Sequence, residues 1–355
     1  MRKSRFLAPW ANDSAKRSIY HLIGRVVDRR FVFGDEEREQ FRIYMRMYEN
    51  FSGCEVLSYC LMSNHFHLLL EVPPMPEGGF SDAELLRRLR FLYSEMAVNA
   101  VAEDLRIARA SGTATEKAAA AQKIHARFSY RFHNLSEFMK TLLSRFTRWF
   151  NRTHKRKGTL WEERFKSVIV ESGTAARVMA AYIDLNPVRA GMVKNAENYR
   201  WSSYGEAIGG GSRGNGKKAR SGLMRAIFSN REKNQTKTAV KKGEWEKAHR
   251  EYRVLMDLAL DRKPRKAEIK LEARTKKGKK ERTGEVEMLG LAAMLRCRVR
   301  YFTEGAVIGS KNFVNEAYAA SRERFGEKRK DGARKMQGTA SAAAGKLWSL
   351  RDLRT

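Results

Sequence analysis

The stretch LMSNHFHLLLE at residues 61–71 limits most strictly which folds this chain can adopt, because two histidines flank a phenylalanine and lead into an apolar run. Side chains of a strand alternate between its faces, so His65 and His67 share one face and Phe66 points to the other. Two prolines follow directly and end the strand. Two imidazoles on one face are a ligand pair for a divalent metal, although an ordinary packed or solvated pair has the same pattern.

The charge balance points to the class of partner. The 355 residues include 71 Lys and Arg against 40 Asp and Glu, a formal net charge of +31. Such an excess repels itself unless a polyanion screens it, and nucleic acid is the commonest polyanion, with ribosome-like scaffolds and anionic membranes as alternatives. We therefore expect a nucleic-acid-binding protein.

Two further properties limit where this chain works. No stretch has the roughly 18 uninterrupted apolar residues of a membrane-spanning helix, and the basic N-terminus has no apolar segment after it. The three cysteines are too few and too scattered for a disulfide framework or a thiolate zinc site. We expect a soluble, cytoplasmic protein.

The order of the predicted elements indicates an α+β fold. Residues 18–27 are rich in β-branched and aromatic side chains and predict a strand, and 34–53 have the apolar period of a helix. A turn signal joins a strand over 54–62 to the strand with the histidines, which predicts a hairpin. The later elements are a helix over 135–151, a strand or strand pair over 160–170, and a helix from 175 to about 186. This β-α-β-β-α-β order with a trailing helix is the split β-α-β arrangement of a ferredoxin-like antiparallel sheet.

The sequence divides into a core and two additions. We assign residues 1–208 to one domain, with a helical insertion at about 75–134 that contains two predicted helices. The Gly-rich stretch at 209–220 is typical of a linker. Residues 221–355 are predicted to form a basic, mainly helical C-terminal extension that is partly disordered and includes a lysine-rich run at 263–283.

If the histidine pair holds a metal, a neighbouring element has to present a nucleophile. His21 lies on the first strand, near the same sheet face, and Tyr182 lies in the trailing helix. Asn186 is four residues further on, so both side chains project from one face of that helix and Asn186 adds an oxygen ligand. Two imidazoles and one amide oxygen leave positions open for water and a phosphate, as a catalytic site requires. The same spacing also fits a tyrosine that only anchors the helix.

A tyrosine hydroxyl is a weak nucleophile at neutral pH, because its ordinary pKa is about 10. A metal ion that withdraws charge from the scissile phosphate stabilises the charge that builds on the phosphoryl oxygens. The expected products are a covalent phosphotyrosine and a free 3′-hydroxyl group.

Several ordered motifs resemble those of a known family. They are NHFHLLLE at 64–71, RWFNRTH at 148–154 with GTLWEERFKS at 158–167, AYIDLNPVRAGMV at 181–193, and YRWSSY at 199–204. Together they resemble the REP-associated tyrosine transposases, which belong to the HUH single-tyrosine transposases of small bacterial insertion sequences. The resemblance covers roughly residues 17–205, without the insertion at about 75–134 and without the chain after Tyr204.

The resemblance implies a specific site and activity. It assigns His65 and His67 to the metal ligands of the HUH motif, Tyr182 to the nucleophile and Asn186 to a third ligand, with Mg²⁺ or Mn²⁺ as the cofactor. Relatives have a ferredoxin-like fold and cut single-stranded DNA beside imperfect palindromic hairpins through a 5′-phosphotyrosine. The expected function is therefore a metal-dependent endonuclease and strand transferase of DNA transposition or recombination, in the bacterial cytosol or nucleoid. The expected partner is hairpin-forming single-stranded DNA, bound by a monomer or a homodimer.

Basic side chains that lie before the tyrosine helix in sequence are predicted to contact DNA. They can neutralise phosphates of a hairpin stem or of the entering strand. The candidates are Arg145, Arg148, Arg152, Lys155, Arg156, Lys157, Arg164 and Lys166. Trp161 and Trp201 are candidates for stacking on unpaired bases, with burial in the core as the alternative.

Two other functions fit parts of the pattern. A ferredoxin-like sheet with a basic surface also builds RNA-recognition domains, so one alternative is a nucleic-acid-binding protein without catalysis. The exposed aromatic signature of those sheets is missing from the third strand, which carries histidines instead. A replication or conjugation initiator with the same histidine pair is the second alternative, and the YIDLNPV context at 182–188 argues against it.

Overall fold

The computed structural model describes residues 6–11, 13, 15–210, 214–228, 243–261, 289–296, 300–327, 329, 332–336 and 347–351. The N-terminal elements are strand β1 (Ser18–Arg25), helix α1 (Asp35–Ser52), and a hairpin of β2 (Glu55–Leu61) and β3 (His65–Val72). Helix α1 ends at Gly53, whose φ of 76° is a conformation that glycine adopts without strain. These four elements match the sequence predictions to within a few residues.

The insertion between β3 and the next core element contains three helices rather than the two predicted. They are α2 (Asp82–Leu89), α3 (Glu95–Ala110) and α4 (Ala114–Ser129). Ser81, Ser94 and Thr113 cap them, and each side chain accepts a hydrogen bond from the main-chain N–H three residues further on. The break that the sequence analysis missed precedes α3, where the Ser94 cap starts a new helix.

The core resumes with α5 (Leu135–Thr153), β4 (Lys166–Val170), α6 (Thr174–Asp184) and the single turn α7 (Asn186–Arg189). Strand β4 fills only the second half of the predicted strand, and Trp161 in the first half makes one isolated bridge to Val26. The four strands lie in the order β2-β3-β1-β4, with every neighbouring pair antiparallel. This is the predicted ferredoxin-like arrangement.

The described part of the C-terminal region is helical apart from three short strands that the sequence did not predict. Its elements are α8 (Ser203–Gly209), α9 (Gly214–Phe228), α10 (Glu244–Ala259), α11 (289–296), α12 (Arg300–Glu304), β5 (Val307–Gly309), α13 (Lys311–Ala319), β6 (Arg334–Lys335) and β7 (Trp348–Leu350). Strand β5 pairs with β4 in parallel, which gives one seven-stranded sheet of order β2-β3-β1-β4-β5-β7-β6. The C-terminal region therefore extends the sheet of the core.

The linker predicted at 209–220 is wrong for residues 214–220, which form the first half of α9. A Cβ atom on Gly222 would lie 2.5 Å from the carbonyl oxygen of Val56, so α9 packs on β2 only because this position has no side chain. The division of the chain into two functional parts near residue 208 stays a prediction. The lysine-rich run at 263–283 lies outside the described residues, as does much of the tail that was expected to be disordered.

The sheet has two buried faces, between which side chains of β1 and β3 alternate. Leu22, Phe66 and Leu68 point to the face packed against α1 and α5. His21 and His67 point to the other face, which packs against α6. None of the helices in the described ranges combines the length and apolar character that crossing a membrane requires.

Candidate active site

The two predicted ligands, His65 and His67, lie at the start of β3 on the same face of the sheet. Their ring centroids are 5.1 Å apart. His65 lies opposite Arg25 on β1, and His67 lies opposite Ile23. Phe66 points to the other face, where it packs in an aromatic cluster. Strand alternation therefore brings the two imidazoles together, as the sequence predicted.

Within the part of the chain that the structure describes, His65 uses one ring nitrogen in a hydrogen bond. Its Nδ1 lies 2.7 Å from Oδ1 of Asn64, which only accepts hydrogen bonds, so Nδ1 carries the hydrogen. Asn64 is held in this orientation because its Nδ2 donates to the main-chain oxygen of Arg29. Burial, followed by the positive charge of Arg25, lowers the pKa of His65 to about 4. The ring is therefore neutral near pH 7, with a lone pair on Nε2, and this is the form that binds metal ions.

His67 is oriented by a hydrogen-bond chain that begins in the C-terminal extension. Nδ1 of His21 lies 2.8 Å from the main-chain oxygen of Phe302, and this nitrogen donates because a carbonyl only accepts. Nε2 of His21 lies 3.0 Å from Nδ1 of His67. In neutral rings His21 Nε2 must accept, so His67 Nδ1 donates and its Nε2 keeps a lone pair. Burial lowers the pKa of His21 to about 4 and that of His67 well below its ordinary value, so both rings are neutral at pH 7.

Tyr182, the predicted nucleophile, lies in α6 with its ring edge-on to both buried histidines. The ring centroids are 5.7 Å from His67 and 5.9 Å from His21. Phe302 stacks on the tyrosine ring at 4.7 Å, and only 2% of Tyr182 is exposed. Burial is the main reason that the pKa of Tyr182 is raised to about 12. The hydroxyl is therefore protonated at neutral pH and shielded from bulk water.

Asn186, the third predicted ligand, does not continue the helix of Tyr182. Helix α6 ends at Asp184, and Asn186 opens the next turn. Pro187 has no N–H to donate to the carbonyl of Ile183, and Nδ2 of Asn186 donates there instead, at 3.3 Å. The same Nδ2 lies 3.0 Å from the main-chain oxygen of Tyr182. The predicted single helix is therefore divided at Leu185, but Asn186 still lies one turn beyond Tyr182. Because Nδ2 bonds the main chain, the amide oxygen is the Asn186 atom that suits a metal.

Two residues at this site were not predicted to be functional. The Arg189 guanidinium lies 5.5 Å from the Tyr182 ring centroid, and its Nη2 donates to the main-chain oxygen of Leu295 at 2.9 Å. Phe302 covers the other side of the tyrosine. Arg189 lies within the motif at 181–193, so it could have been considered from the sequence. Phe302 lies in a short helix far along the chain, and no pattern there connects it with Tyr182.

The basic residues predicted to bind DNA lie at the end of α5 and in the loop that leads to β4. Arg148, Arg152, Lys155, Lys157, Arg164 and Lys166 are exposed, and Arg145 and Arg156 are partly buried. The Arg145 guanidinium lies over the ring of Tyr44, and Arg156 donates to the carbonyl of Thr159. In the sheet register, Lys166 and His67 both lie opposite Ile23 of β1. The loop therefore joins the sheet at the same end as the histidine pair.

The two tryptophans considered for base stacking pack against protein groups. The Trp161 ring lies edge-on to Phe66, and its Nε1 donates to Oγ1 of Thr147 at 2.9 Å. The Trp201 ring lies under the Arg38 guanidinium, 5.0 Å from the ring centroid. These contacts favour the structural alternative for both residues.

The donor set suits a divalent ion with open coordination positions. Among the described residues, no group hydrogen-bonds to Nε2 of His65 or of His67, and Nδ1–H of each ring donates to a fixed acceptor, which is the usual arrangement around metal-binding histidines. Within the described residues, no group of three His, Cys, Asp or Glu side chains is arranged to hold a metal. The two imidazoles are therefore the ligands that this face of the sheet supplies, and Asn186 stays the predicted third ligand, a set that leaves room for water and a phosphate.

Comparisons with known proteins relate this chain to a family model and to a solved structure. Residues 14–78 match a family model described as "Transposase IS200 like". This segment contains β1 to β3 with both histidines and ends before Tyr182. A solved structure described as "Structure of the REP associates tyrosine transposase bound to a REP hairpin" is 11% identical, with a TM-score of 0.32, and the match covers 61% of this chain and 88% of that chain. No curated protein matches.

Proposed function

We propose that this chain is a metal-dependent single-stranded DNA endonuclease and strand transferase, and the match of residues 14–78 to the IS200-like transposase family model supports this proposal. The proposed substrate is DNA with a palindromic hairpin, and the proposed intermediate is a 5′-phosphotyrosine on Tyr182. The main support is the packing of the Tyr182 ring against His67 and His21, because these residues come from three separate elements. This packing places the tyrosine beside His67, one of the two predicted metal ligands, as a nucleophile at a metal site requires.

Mg²⁺ or Mn²⁺ would be held by Nε2 of His65 and of His67, with the amide oxygen of Asn186 as a third ligand. When bound, the ion supplies Lewis-acid stabilisation of the charge on the scissile phosphate. The protein's own contribution is to keep both rings neutral and to hold them by their Nδ1 atoms. This preorganisation leaves the lone pairs free before the metal arrives.

The proposed cleavage is a transesterification. The Oη atom of Tyr182 forms a bond to phosphorus, the P–O3′ bond breaks, and the phenolic proton passes through solvent to the departing 3′-oxygen. Because burial raises the pKa of Tyr182 to about 12, only a small fraction of the hydroxyl is ionised at neutral pH, and this phenolate fraction is the proposed nucleophile. Attack of a 3′-hydroxyl group on the phosphotyrosine reverses these bond changes and joins strands. The phosphotyrosine bond retains the energy of the cleaved phosphodiester bond until the strands are joined.

The exposed basic residues around α5 are the proposed contact surface for the hairpin. Arg148 and Arg152 are one helical turn apart and exposed, and Lys155 and Lys157 follow in the loop. Contacts from such side chains to phosphates position DNA without reading its sequence. The loop leads into β4 at the end of the sheet where His65 and His67 lie. A DNA strand bound along the loop would therefore approach the two proposed metal ligands.

One observation favours the alternative of a nucleic-acid-binding protein without catalysis. Tyr182 is 2% exposed and covered by Phe302, so DNA reaches its hydroxyl only after the cover has moved. If the Phe302 ring never moved away from Tyr182, the protein would bind DNA through its basic surface and form no covalent adduct. Formation of a covalent protein–DNA adduct therefore distinguishes the catalytic function from the non-catalytic one.

The experiment is incubation of the full chain with hairpin-flanked single-stranded DNA and Mn²⁺, followed by denaturing electrophoresis. We expect a protein–DNA adduct that survives boiling in detergent and is lost in Tyr182→Phe. The matched control is Tyr204→Phe, which alters a second buried tyrosine whose ring packs against Tyr252 and His249 instead of the histidine pair. An adduct that persists in Tyr182→Phe would refute the assignment of the nucleophile, and binding without any adduct would favour the non-catalytic alternative.

A further inference from the structure

We propose that His21 is a positioning residue for the metal ligand His67, and that the C-terminal extension takes part in this role through the main-chain carbonyl of Phe302. The proposal rests on the proposed function, since it assumes that His67 binds a metal. It adds a residue outside the His-x-His motif to the site, and it gives the extension a defined task at the centre of the core sheet.

The geometry starts from the sheet register. His21 on β1 lies opposite Leu69 on β3, so His67 is its diagonal neighbour on the same face. The two rings are stacked, with an interplanar angle of 18° and centroids 5.1 Å apart. His21 has no exposed surface, and His67 is 2% exposed. Two imidazoles buried this completely have to satisfy each other or find protein partners.

The hydrogen bonds determine which nitrogen of each ring donates and which accepts. The Phe302 carbonyl accepts from Nδ1 of His21, which leaves Nε2 of His21 as an acceptor for Nδ1–H of His67. If the His67 ring turned over or changed tautomer, it would lose this bond inside the protein. The chain from Phe302 through His21 therefore holds Nε2 of His67 unprotonated and pointed away from His21, which is what a metal ligand requires.

A purely structural role for His21 is the competing explanation, and it makes a different prediction. A packing residue contributes to stability only, and an apolar side chain of similar size would replace it without effect on metal binding. A positioning residue controls the affinity of His67 for the metal, and a side chain that still accepts a hydrogen bond from His67 should restore part of that affinity. Titration with metal therefore distinguishes a positioning role of His21 from a packing role.

The test is the affinity of the full chain for Mn²⁺, measured by calorimetric titration without DNA. We expect His21→Leu to weaken binding about 10- to 100-fold, the range found when partners of metal-binding histidines are removed. His21→Gln retains an amide oxygen that can accept a hydrogen bond from His67 and should recover part of the lost affinity. The matched control is His133→Leu, because His133 also donates Nδ1 to a main-chain carbonyl, that of Pro74, but in the insertion and away from this site.

Each outcome has a separate meaning. If His21→Leu folds and binds Mn²⁺ as tightly as the wild type does, while His65→Ala abolishes binding, the positioning role of His21 is refuted. Wild-type protein without saturable binding, or binding unaffected by His65→Ala, would overturn the proposed metal site itself and this proposal with it. If His21→Leu does not fold, nitrogen-15 NMR of the wild-type imidazole rings decides the question. We expect the Nδ1–H tautomer for His67, and the Nε2–H tautomer would contradict the proposal.

Discussion

Removal of the Phe302 ring should make Tyr182 easier to ionise. The ring stacks on Tyr182 at 4.7 Å and forms part of the environment that leaves the tyrosine 2% exposed. Burial is the largest cause of the raised pKa, about 12 against an ordinary value of about 10. In Phe302→Ala, water reaches that side of the phenol, and we expect the pKa of Tyr182 to fall towards 10.

The size of the effect follows from the pKa difference. At pH 8 a phenol with a pKa of about 12 is ionised to about one part in 10⁴, and one with a pKa of about 10 to about one part in 10². Full relief of burial would therefore raise the phenolate population about 100-fold, and partial relief would raise it less. Since both values lie above the working range, the rate of adduct formation should rise about tenfold per pH unit from pH 7 to 9 in both proteins.

The assay is the rate of covalent adduct formation at saturating Mn²⁺ and DNA between pH 7 and 10. Phe325→Ala is the matched control, because Phe325 is an equally buried phenylalanine of the extension that packs against Phe6 and Tyr318. Each substitution should cost about 3–5 kcal/mol in free energy of unfolding, so thermal melting must first show that both variants are folded. The Phe302 carbonyl remains in the variant, so His21 keeps its acceptor. The rate of Phe302→Ala should exceed those of the wild type and Phe325→Ala at each pH from 7 to 9, and equal rates of all three proteins at every pH would refute the reasoning.

Two further predictions concern the DNA surface and the buried carboxyl group of the core. Replacing Arg148 and Arg152 with alanine should weaken single-stranded DNA binding and reduce the slope of log affinity against log salt by about 1 for each phosphate that is no longer neutralised. Arg106→Ala, an exposed arginine of the insertion, should leave that slope unchanged, and a slope that falls equally in both would contradict the proposed surface. Asp184 is fully buried and accepts hydrogen bonds from Tyr252 Oη and the Tyr204 N–H, and burial raises its pKa to about 7. Because the folded pKa lies above the unfolded value of about 3.9, its contribution is present below pH 4 and is lost as pH rises through 7, by up to about 4 kcal/mol. Denaturant titrations should show this decline in the wild type relative to Asp184→Asn, and parallel curves would exclude it.

The core elements could be predicted because their signals are local. The period of two in residues 65–72 places the histidines on one face, and the helix signals of residues 34–53 include the glycine at which α1 ends. The ferredoxin-like order follows from the sequence of these elements and the rules that connect them. The same local reasoning did not predict the one-residue break at Leu185 between α6 and α7. Pro187 removes a single helical hydrogen bond, and Asn186 then turns its amide towards the end of α6.

The extension was harder to predict, because its role depends on contacts between distant residues. Strand β5 is only three residues long and has no pattern that marks it as a neighbour of β4. Gly214 and Gly216 of the predicted linker lie in α9, which approaches β2 closely at Gly222. No local signal relates the Phe302 carbonyl to His21 or its ring to Tyr182. Such pairings are decided by which surfaces remain to be buried once the core sheet has formed.

The sequence by itself thus determined the histidine pair on one strand face, the order of the core elements and the basic character of the chain. These properties follow from side-chain alternation, local propensity and charge, which need no knowledge of distant residues. Only the tertiary structure decided that Tyr182 packs against His67, that His21 supplies the acceptor for that ring, and that the C-terminal extension covers the tyrosine. Those arrangements depend on burial, which removes water as the competing hydrogen-bond partner and forces polar groups from distant segments to satisfy one another.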